Sequence, residues 1–284
     1  MDSFVASVEI SDEIVLRPRK DDLVNVTMHG LGSESIPPEE NAALRAGEKF
    51  VAKYAVRGAD ITVYKNIPMG AGMGGSSADA AGVLRGMAQL YGIKDVAGIK
   101  DLADSLGSDT GYMLNGGFAR MTGRGEQVWP LNRSDRLWFL VVVPRTPVAT
   151  ASCYSLYDDK PDEMRDDTEK CIRAFISGDY EGMSKCFYNA LYAPACRLNA
   201  DVEEVAREVE SLSPMGWTMT GSGSAVFAMY RTRELCEWAA SRYRGRGRAI
   251  VTYTLDPAVT ERKKKIKWRN PYVLSKEETE SANE

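Results

Sequence analysis

The chain has 284 residues, of which 44% are hydrophobic and 27% charged, and this suits a globular protein of one large or two modest domains. Its net charge of −4 gives no reason to expect nucleic acid or a membrane as partner, and no apolar run approaches the ~20 residues of a membrane span. The five cysteines are scattered, the single histidine cannot build a histidine-based metal site, and no signal-peptide pattern opens the chain, so we expect a cytoplasmic protein with reduced thiols.

The first 64 residues alternate between strand and helix patterns. Alternating apolar residues predict strands within residues 4–17 and 23–28, joined by charged turns. A helix is predicted from residue 36 to about residue 56, and Asn41 near its start is a residue type that caps helices. Alternation of Ile61 and Val63 predicts a further strand over residues 59–64.

A glycine-rich stretch follows that strand, and the rest of the chain is interpreted around it. Residues 68–77, here called the glycine loop, read Pro-Met-Gly-Ala-Gly-Met-Gly-Gly-Ser-Ser, and apolar spacing predicts a helix over residues 78–90. Glycines bring bare amide groups close to a ligand, and a helix N-terminus adds the positive end of the helix dipole. The pattern therefore predicts a phosphate site made of the loop glycines and the two serines: Gly70, Gly72, Gly74, Gly75, Ser76 and Ser77.

Two common phosphate-binding patterns do not fit the glycine loop. The dinucleotide fingerprint requires a buried strand that runs directly into the first glycine, whereas residues 65–68 intervene here. The P-loop requires a closing Gly-Lys-Ser/Thr, which this stretch lacks. A glycine-rich turn that only packs the helix against a sheet remains the alternative at this point.

The segment after the loop helix contains a candidate catalytic acid. A helix is predicted over residues 96–106, and it ends in Gly-Ser-Asp-Thr-Gly-Tyr, in which the aspartate is Asp109. An aspartate between glycines is a common turn former, and it can also accept a proton in catalysis. A hairpin over residues 116–126 and an apolar strand over residues 137–143 follow.

The second half of the chain reads as helices with a strand–turn–strand unit. Helices are predicted over residues 168–177, 179–191, 199–211 and 234–243, and strands on both sides of the glycine turn in residues 219–227 and over residues 249–254. Residues 158–167 are charged and expected to be exposed. The basic run 262–269 and the polar residues 276–284 are typical of a solvated tail.

The glycine loop resembles the central motif of the GHMP kinase superfamily, Pro-x-x-x-Gly-Leu-Gly-Ser/Gly-Ser-Ser-x-Ala. Residues 219–227, Met-Thr-Gly-Ser-Gly-Ser-Ala-Val-Phe, resemble the third motif of that superfamily. Residues 74–84 are similar to the branch that phosphorylates a cytidylyl polyol of non-mevalonate isoprenoid biosynthesis. The resemblance covers about residues 4–254 and implies an α+β, two-domain GHMP kinase fold, with a ribosomal-protein-S5-domain-2-like N-terminal domain and a ferredoxin-like C-terminal domain.

The resemblance implies an ATP-binding enzyme that uses Mg²⁺ and phosphorylates the alcohol of a small molecule. Asp109 falls on the position of the family's proposed general base, and Asn41 on a position that touches the nucleotide base. Lys65, just before the glycine loop, is predicted to reach the nucleotide.

The resemblance also implies residues that meet the substrate. Thr150 and Tyr154 resemble a family threonine and an aromatic residue that stacks on the cytosine ring, and a base stacked on an aromatic ring contributes ~1–3 kcal/mol. Gly221 and Gly223 belong to the third motif and are expected to shape the substrate site.

The same resemblance predicts domain limits: an ATP-binding domain over residues 1–144, a substrate domain over residues 145–255 and a tail over residues 256–284. The family opens with a strand carrying Lys-x-Asn-Leu and then Asp-Gly-Tyr-His, for which this sequence has no counterpart, so we expect that first strand and its lysine to be absent. Two alternatives stay open: a GHMP kinase for another small alcohol such as homoserine or mevalonate, and a degenerate ATP-binding relative with little catalysis.

Overall fold

The computed structural model describes residues 1–30, 32–33, 36–159 and 167–255. The predicted tail over residues 256–284 and most of the charged segment 158–167 lie outside these residues. None of the described helices has the length and apolar character that crossing a bilayer requires.

Two three-stranded sheets lie in the first half of the described chain. Their strands are β1 (Asp2–Ala6), β2 (Glu13–Pro18), β3 (Asn25–His29), β4 (Ala59–Tyr64), β5 (Phe118–Thr122) and β6 (Gln127–Leu131). One sheet has the antiparallel order β1-β5-β6. The other has the order β2-β4-β3, in which β2 is antiparallel and β3 parallel to β4.

Helices cover one face of the β2-β4-β3 sheet. They are α1 (Ala42–Tyr54), α2 (Gly75–Tyr91), α3 (Val96–Leu106) and α4 (Thr110–Asn115). Apolar side chains from β4, α1 and α2 form the core between them, and the largest are fully buried: Phe50, Ile61, Val63, Val83, Leu84 and Met87. This packing fixes the end of β4 and the start of α2, so it fixes both ends of the glycine loop that joins them.

A four-stranded antiparallel sheet with the order β10-β7-β9-β8 lies in the second half. Its strands are β7 (Trp138–Val143), β8 (Gly216–Met219), β9 (Val226–Tyr230) and β10 (Arg248–Tyr253). The helices of this half are α5 (Thr150–Asp159), α6 (Asp167–Ser177), α7 (Tyr180–Lys185), α8 (Tyr192–Leu198), α9 (Ala200–Ser211) and α10 (Arg233–Arg242). β7 precedes the predicted limit at residue 144, yet it pairs with β9 and β10, which follow that limit. The predicted boundary between the two domains at residue 144 stays a prediction.

The structure differs from the sequence prediction at several helices. The helix predicted from residue 36 begins at Ala42, because Asn41 has an extended backbone and a short 3-10 turn over Pro38–Glu40 precedes it. The helix predicted over residues 179–191 ends at Lys185, and residues 192–198 form a separate helix. Between these two, the side-chain amide of Asn189 donates to backbone carbonyls of the 220–225 turn and its approach. The short helix α4 was not predicted.

Candidate active site

A cavity of about 700 Å³ has walls from both halves of the chain. Most of the predicted site residues line it: Asn41, Lys65, Gly70, Gly72, Gly74, Gly75, Ser76, Ser77, Asp109, Thr150, Tyr154 and Gly221. Residues that the sequence places more than a hundred positions apart therefore share one cavity.

The glycine loop runs along this cavity, and three of its carbonyl groups are bound by the second half of the chain. The turn formed by residues 220–225, between β8 and β9, donates hydrogen bonds of 3.1–3.3 Å to the carbonyl oxygens of Gly70, Ala71 and Gly72. Because these three carbonyls are occupied by the turn, the groups of the loop that remain available to an anion include the amides at its end. The second half of the chain thus sets the orientation of a loop that belongs to the first half.

The end of the glycine loop is the start of α2. Gly74 has a left-handed backbone (φ 69°) and no side chain caps the helix within the described chain. The amides of Gly75, Ser76 and Ser77 are the first three of α2, and such amides have no acceptor within their own helix. Free donors and the positive end of the helix dipole therefore meet at the cavity wall, as anion binding requires.

Gly72 and Gly223 are packed against each other where the loop meets the 220–225 turn. A Cβ on Gly72 would lie 2.2 Å from the carbonyl oxygen of Thr220 and 2.8 Å from that of Gly223, and Gly72 has a φ of 70°. Gly223 is not among the residues on the cavity wall. The close contact with Gly72 supports a packing role for Gly223, and its role in shaping the substrate site stays a prediction.

Asp109 is the carboxylate that faces the glycine loop. It precedes α4, its side chain does not cap that helix, and its Oδ2 lies 4.0 Å from the position that a Cβ on Gly74 would take. No salt bridge to Asp109 is present among the described residues. Burial raises the pKa of Asp109, so the carboxyl has a greater affinity for a proton than an exposed aspartate has.

Tyr154 and Thr150 reach the cavity from the first turns of α5. The Tyr154 ring is 41% exposed, and its pKa is raised by burial and then by the charge of Asp109, which places the two groups in the same electrostatic environment. The Thr150 and Ser222 hydroxyls are hydrogen-bonded at 2.9 Å, which ties α5 to the 220–225 turn. Ser222 also lines the cavity and was not singled out from the sequence.

Asn41 lies on the cavity wall and caps α1. Its Oδ1 accepts hydrogen bonds from the amides of Ala43 and Leu44 at 3.0 and 3.1 Å. The side chain is 8% exposed. The capping role is confirmed, and its contact with a nucleotide base stays a prediction.

Comparison with known proteins places this site in a family. The family description "GHMP kinases N terminal domain" matches residues 41–119, which include the glycine loop and Asp109. The 4-diphosphocytidyl-2-C-methyl-D-erythritol kinase of Pelotomaculum thermopropionicum is 33% identical over 254 residues, which are 88% of each chain. The chain belongs to the GHMP kinases, in the family of the 4-diphosphocytidyl-2-C-methyl-D-erythritol kinases.

Solved structures of GHMP kinases share the fold. A crystal structure of 4-(cytidine 5'-diphospho)-2C-methyl-D-erythritol kinase superposes with a TM-score of 0.73 at 28% identity and covers 90% of both chains. Homoserine kinase from Cytophaga hutchinsonii superposes with a TM-score of 0.72 at 17% identity over 89% of both chains, and at that identity it supports the fold alone. The predicted α+β GHMP kinase fold is confirmed.

In this GHMP kinase Lys65 is enclosed by two carboxylates that the sequence analysis did not single out. Its Nζ donates to Asp79 Oδ2 at 2.6 Å and to Asp12 Oδ2, and the three side chains are only 3–5% exposed. Burial raises the pKa of Asp79 to about 7, against the lowering effect of the Lys65 charge. Asp79 Oδ1 is buried and has no hydrogen-bond partner among the residues that the structure describes.

A sequence signal for this cluster did exist in the glycine-loop motif. Asp79 follows Ser77 by two positions and precedes Val83 by four, so it shares a helix face with a fully buried residue. A carboxylate on an apolar face requires a buried partner. Asp12 carried no such signal, because its position in a charged turn is typical of an exposed residue.

Proposed function

We propose that this protein transfers the γ-phosphoryl group of ATP to a hydroxyl of 4-diphosphocytidyl-2-C-methyl-D-erythritol. The single observation that carries the proposal is that free amides at the start of α2 share one cavity with the Asp109 carboxylate, which has no salt bridge to any described residue. The relatives with this name extend over most of the chain, at 33% identity for the one from Pelotomaculum thermopropionicum, and support this choice of substrate.

The chemistry follows from the charges that develop during phosphoryl transfer. The acceptor hydroxyl oxygen forms a bond to the γ-phosphorus, the bond from that phosphorus to the bridging oxygen breaks, and ADP leaves. The hydroxyl proton passes to the Asp109 carboxylate, whose raised pKa favours proton acceptance. Backbone amides of Gly75, Ser76 and Ser77 and the helix dipole stabilise the phosphate charge.

Mg²⁺ is proposed to enter the site with ATP, because Mg²⁺ in kinases is bound mainly by phosphates and water with one or two protein ligands. The described residues contain no cluster of three or more metal-ligating side chains. When bound, Mg²⁺ neutralises charge on the β- and γ-phosphates. The cytosine ring is proposed to stack on Tyr154, and Asn41 is proposed to contact the adenine ring.

A phosphorylation assay tests the proposal. Purified protein with ATP, Mg²⁺ and 4-diphosphocytidyl-2-C-methyl-D-erythritol should form ADP and a phosphorylated polyol in equal amounts, and Asp109→Ala should abolish most of the turnover. Homoserine and mevalonate serve as competing acceptors. Faster turnover with either of them, or turnover unaffected by Asp109→Ala, contradicts the proposal.

A thermal-shift assay separates the enzyme from an ATP-binding relative without catalysis. A ligand present at 100 times its Kd stabilises the folded state by about 2.7 kcal/mol. ATP with Mg²⁺ and the cytidylyl polyol should each raise Tm. Stabilisation by ATP alone supports the non-catalytic relative.

A further inference from the structure

Three buried charged groups lie directly beneath the glycine loop, on the three segments that meet there. Asp12 stands just before β2, Lys65 just after β4 and Asp79 in the second turn of α2. The Lys65 ammonium contacts both carboxylates, and its Nζ lies 3.6 Å from the position that a Cβ on Gly75 would take. The cluster therefore lies beside the first residue of α2, and Lys65 and Asp79 also line the cavity.

Asp12 holds the backbone that leads into the glycine loop. Its Oδ1 accepts hydrogen bonds from the amides of Asn66 and Ile67 at 2.5 and 2.8 Å, while its Oδ2 accepts from Lys65. One carboxylate thus fixes three consecutive residues. The approach to the loop is tied to β2 although 54 positions separate Asp12 from Asn66.

The Lys65–Asp79 ion pair joins the two ends of the loop. Lys65 precedes the glycine loop and Asp79 follows it, so the pair closes the chain between them into a ring. The 220–225 turn holds the middle of the loop through its carbonyls. The ends and the middle of the loop are therefore held by separate sets of contacts, and only the ends depend on buried charges.

We infer that Lys65, Asp12 and Asp79 are positioning residues, which hold the ends of the glycine loop so that its amides point at the ATP phosphates. The identity of the anion rests on the proposed function. The Lys65 ammonium is not a phosphate ligand in this arrangement, because moving it to a phosphate would leave two buried carboxylates without a partner. Loop rigidity then sets ATP affinity, since a preorganised loop loses less conformational freedom on binding.

Two Asp79 variants separate the effect of its hydrogen bond with Lys65 from the effect of its negative charge. Asp79→Leu and Asp79→Asn both remove the negative charge and leave the Lys65–Asp12 pair balanced, whereas only asparagine keeps an oxygen that accepts from Lys65. We expect Asp79→Leu to raise the Kd for ATP by on the order of tenfold, and Asp79→Asn to raise it clearly less. Calorimetric titration with ATP and Mg²⁺ measures both values.

Amide hydrogen exchange in ATP-free protein shows directly whether the cluster holds the loop. Asp79→Leu should speed exchange of residues 66–77 while the amides of β7 and β9 keep the wild-type rates. The control is Asp95→Ala, which removes the Asp95 cap on the Gly98 amide in the neighbouring helix α3. It should destabilise the protein without loosening the loop or weakening ATP binding.

Three results overturn the inference. Equal Kd values for the two Asp79 variants assign the effect to charge alone. Wild-type loop exchange with unchanged ATP binding in Asp79→Leu shows that the cluster does not hold the loop, and tighter binding in that variant points to a direct contact of the released Lys65 with a phosphate. Faster exchange throughout the molecule assigns the cluster a general stabilising role. If the wild-type protein binds no ATP, the proposed function fails, and the exchange rates still decide whether the cluster holds the loop.

Discussion

At the scale of single residues, the burial that places the Asp109 carboxylate beside the glycine loop also lowers the stability of the folded protein. Its carboxylate is buried beside the glycine loop without a salt bridge among the described residues, and burial raises its pKa. Asp109→Asn keeps the shape but cannot accept a proton. We expect kcat to fall by about 10²–10⁴-fold, the usual contribution of general base catalysis, with little change in KM for ATP. Steady-state kinetics with both substrates measure this.

The same variant should unfold at a higher temperature than the wild type at pH 8. An acid whose pKa is raised in the folded state favours folding while it is protonated, and this contribution is lost as pH rises through the folded pKa. Asparagine has no charge to bury, so the gain in Tm should be present at pH 8 and shrink as pH falls toward the ordinary range of aspartate. A gain that is independent of pH contradicts the burial of this charge.

Substitution of Tyr154 tests whether its ring stacks on the cytosine ring of the substrate. Its ring lines the cavity and is 41% exposed, so it is free to stack on a base. Tyr154→Leu should weaken binding of the cytidylyl polyol by about 1–3 kcal/mol, or roughly 5- to 150-fold in KM. Tyr154→Phe keeps the ring and serves as the control. Equal KM values for the leucine variant and the wild type contradict the stacking.

At the scale of elements, the glycine loop depends on a close approach that only glycine permits. Gly72→Ala places a methyl group 2.2 Å from the Thr220 carbonyl oxygen at a φ of 70°. We expect a loss of about 1–3 kcal/mol in the free energy of unfolding and weaker ATP binding. Gly92→Ala is the matched control, because Gly92 has a φ of 68° and a Cβ added there would have no described neighbour within 4 Å. It should lose stability through backbone strain and keep its ATP affinity, as measured by denaturant unfolding and calorimetry.

The elements that sequence predicted best are those fixed by local pattern. The strand over residues 59–64 and the helix over residues 96–106 have the predicted limits, because alternation and helical spacing coincide there with clear turn residues. The helix predicted over residues 179–191 was wrong beyond Lys185. Asn189 is held by carbonyls 30 and 32 positions away, and no local pattern reports such a contact.

At the scale of the whole molecule, sequence motifs predicted most residues that line the cavity but not the contacts that hold those residues in place. Twelve predicted residues line the cavity, and most of them belong to motifs that contain glycine turns. The Asp12–Lys65–Asp79 cluster and the Thr150–Ser222 hydrogen bond were not predicted. Both join segments that come together only when the sheets and helices pack. The packing of Gly223 against Gly72 was not predicted either, since this contact is a tertiary one.

The contact between the two halves predicts an effect of the C-terminal half on ATP binding. Thr220 is not among the residues on the cavity wall, yet its Oγ1 donates to the Gly72 carbonyl oxygen at 3.1 Å. Thr220→Val removes a bond worth about 0.5–1.5 kcal/mol and frees the loop carbonyl that faces the turn. We expect the Kd for ATP to rise by roughly 2- to 10-fold, although the variant residue touches no ligand. Thr218→Val makes the same chemical change on β8, outside the 220–225 turn, and should leave the Kd at the wild-type value. Equal Kd values for the two variants would mean that the glycine loop holds its orientation without the second half of the chain.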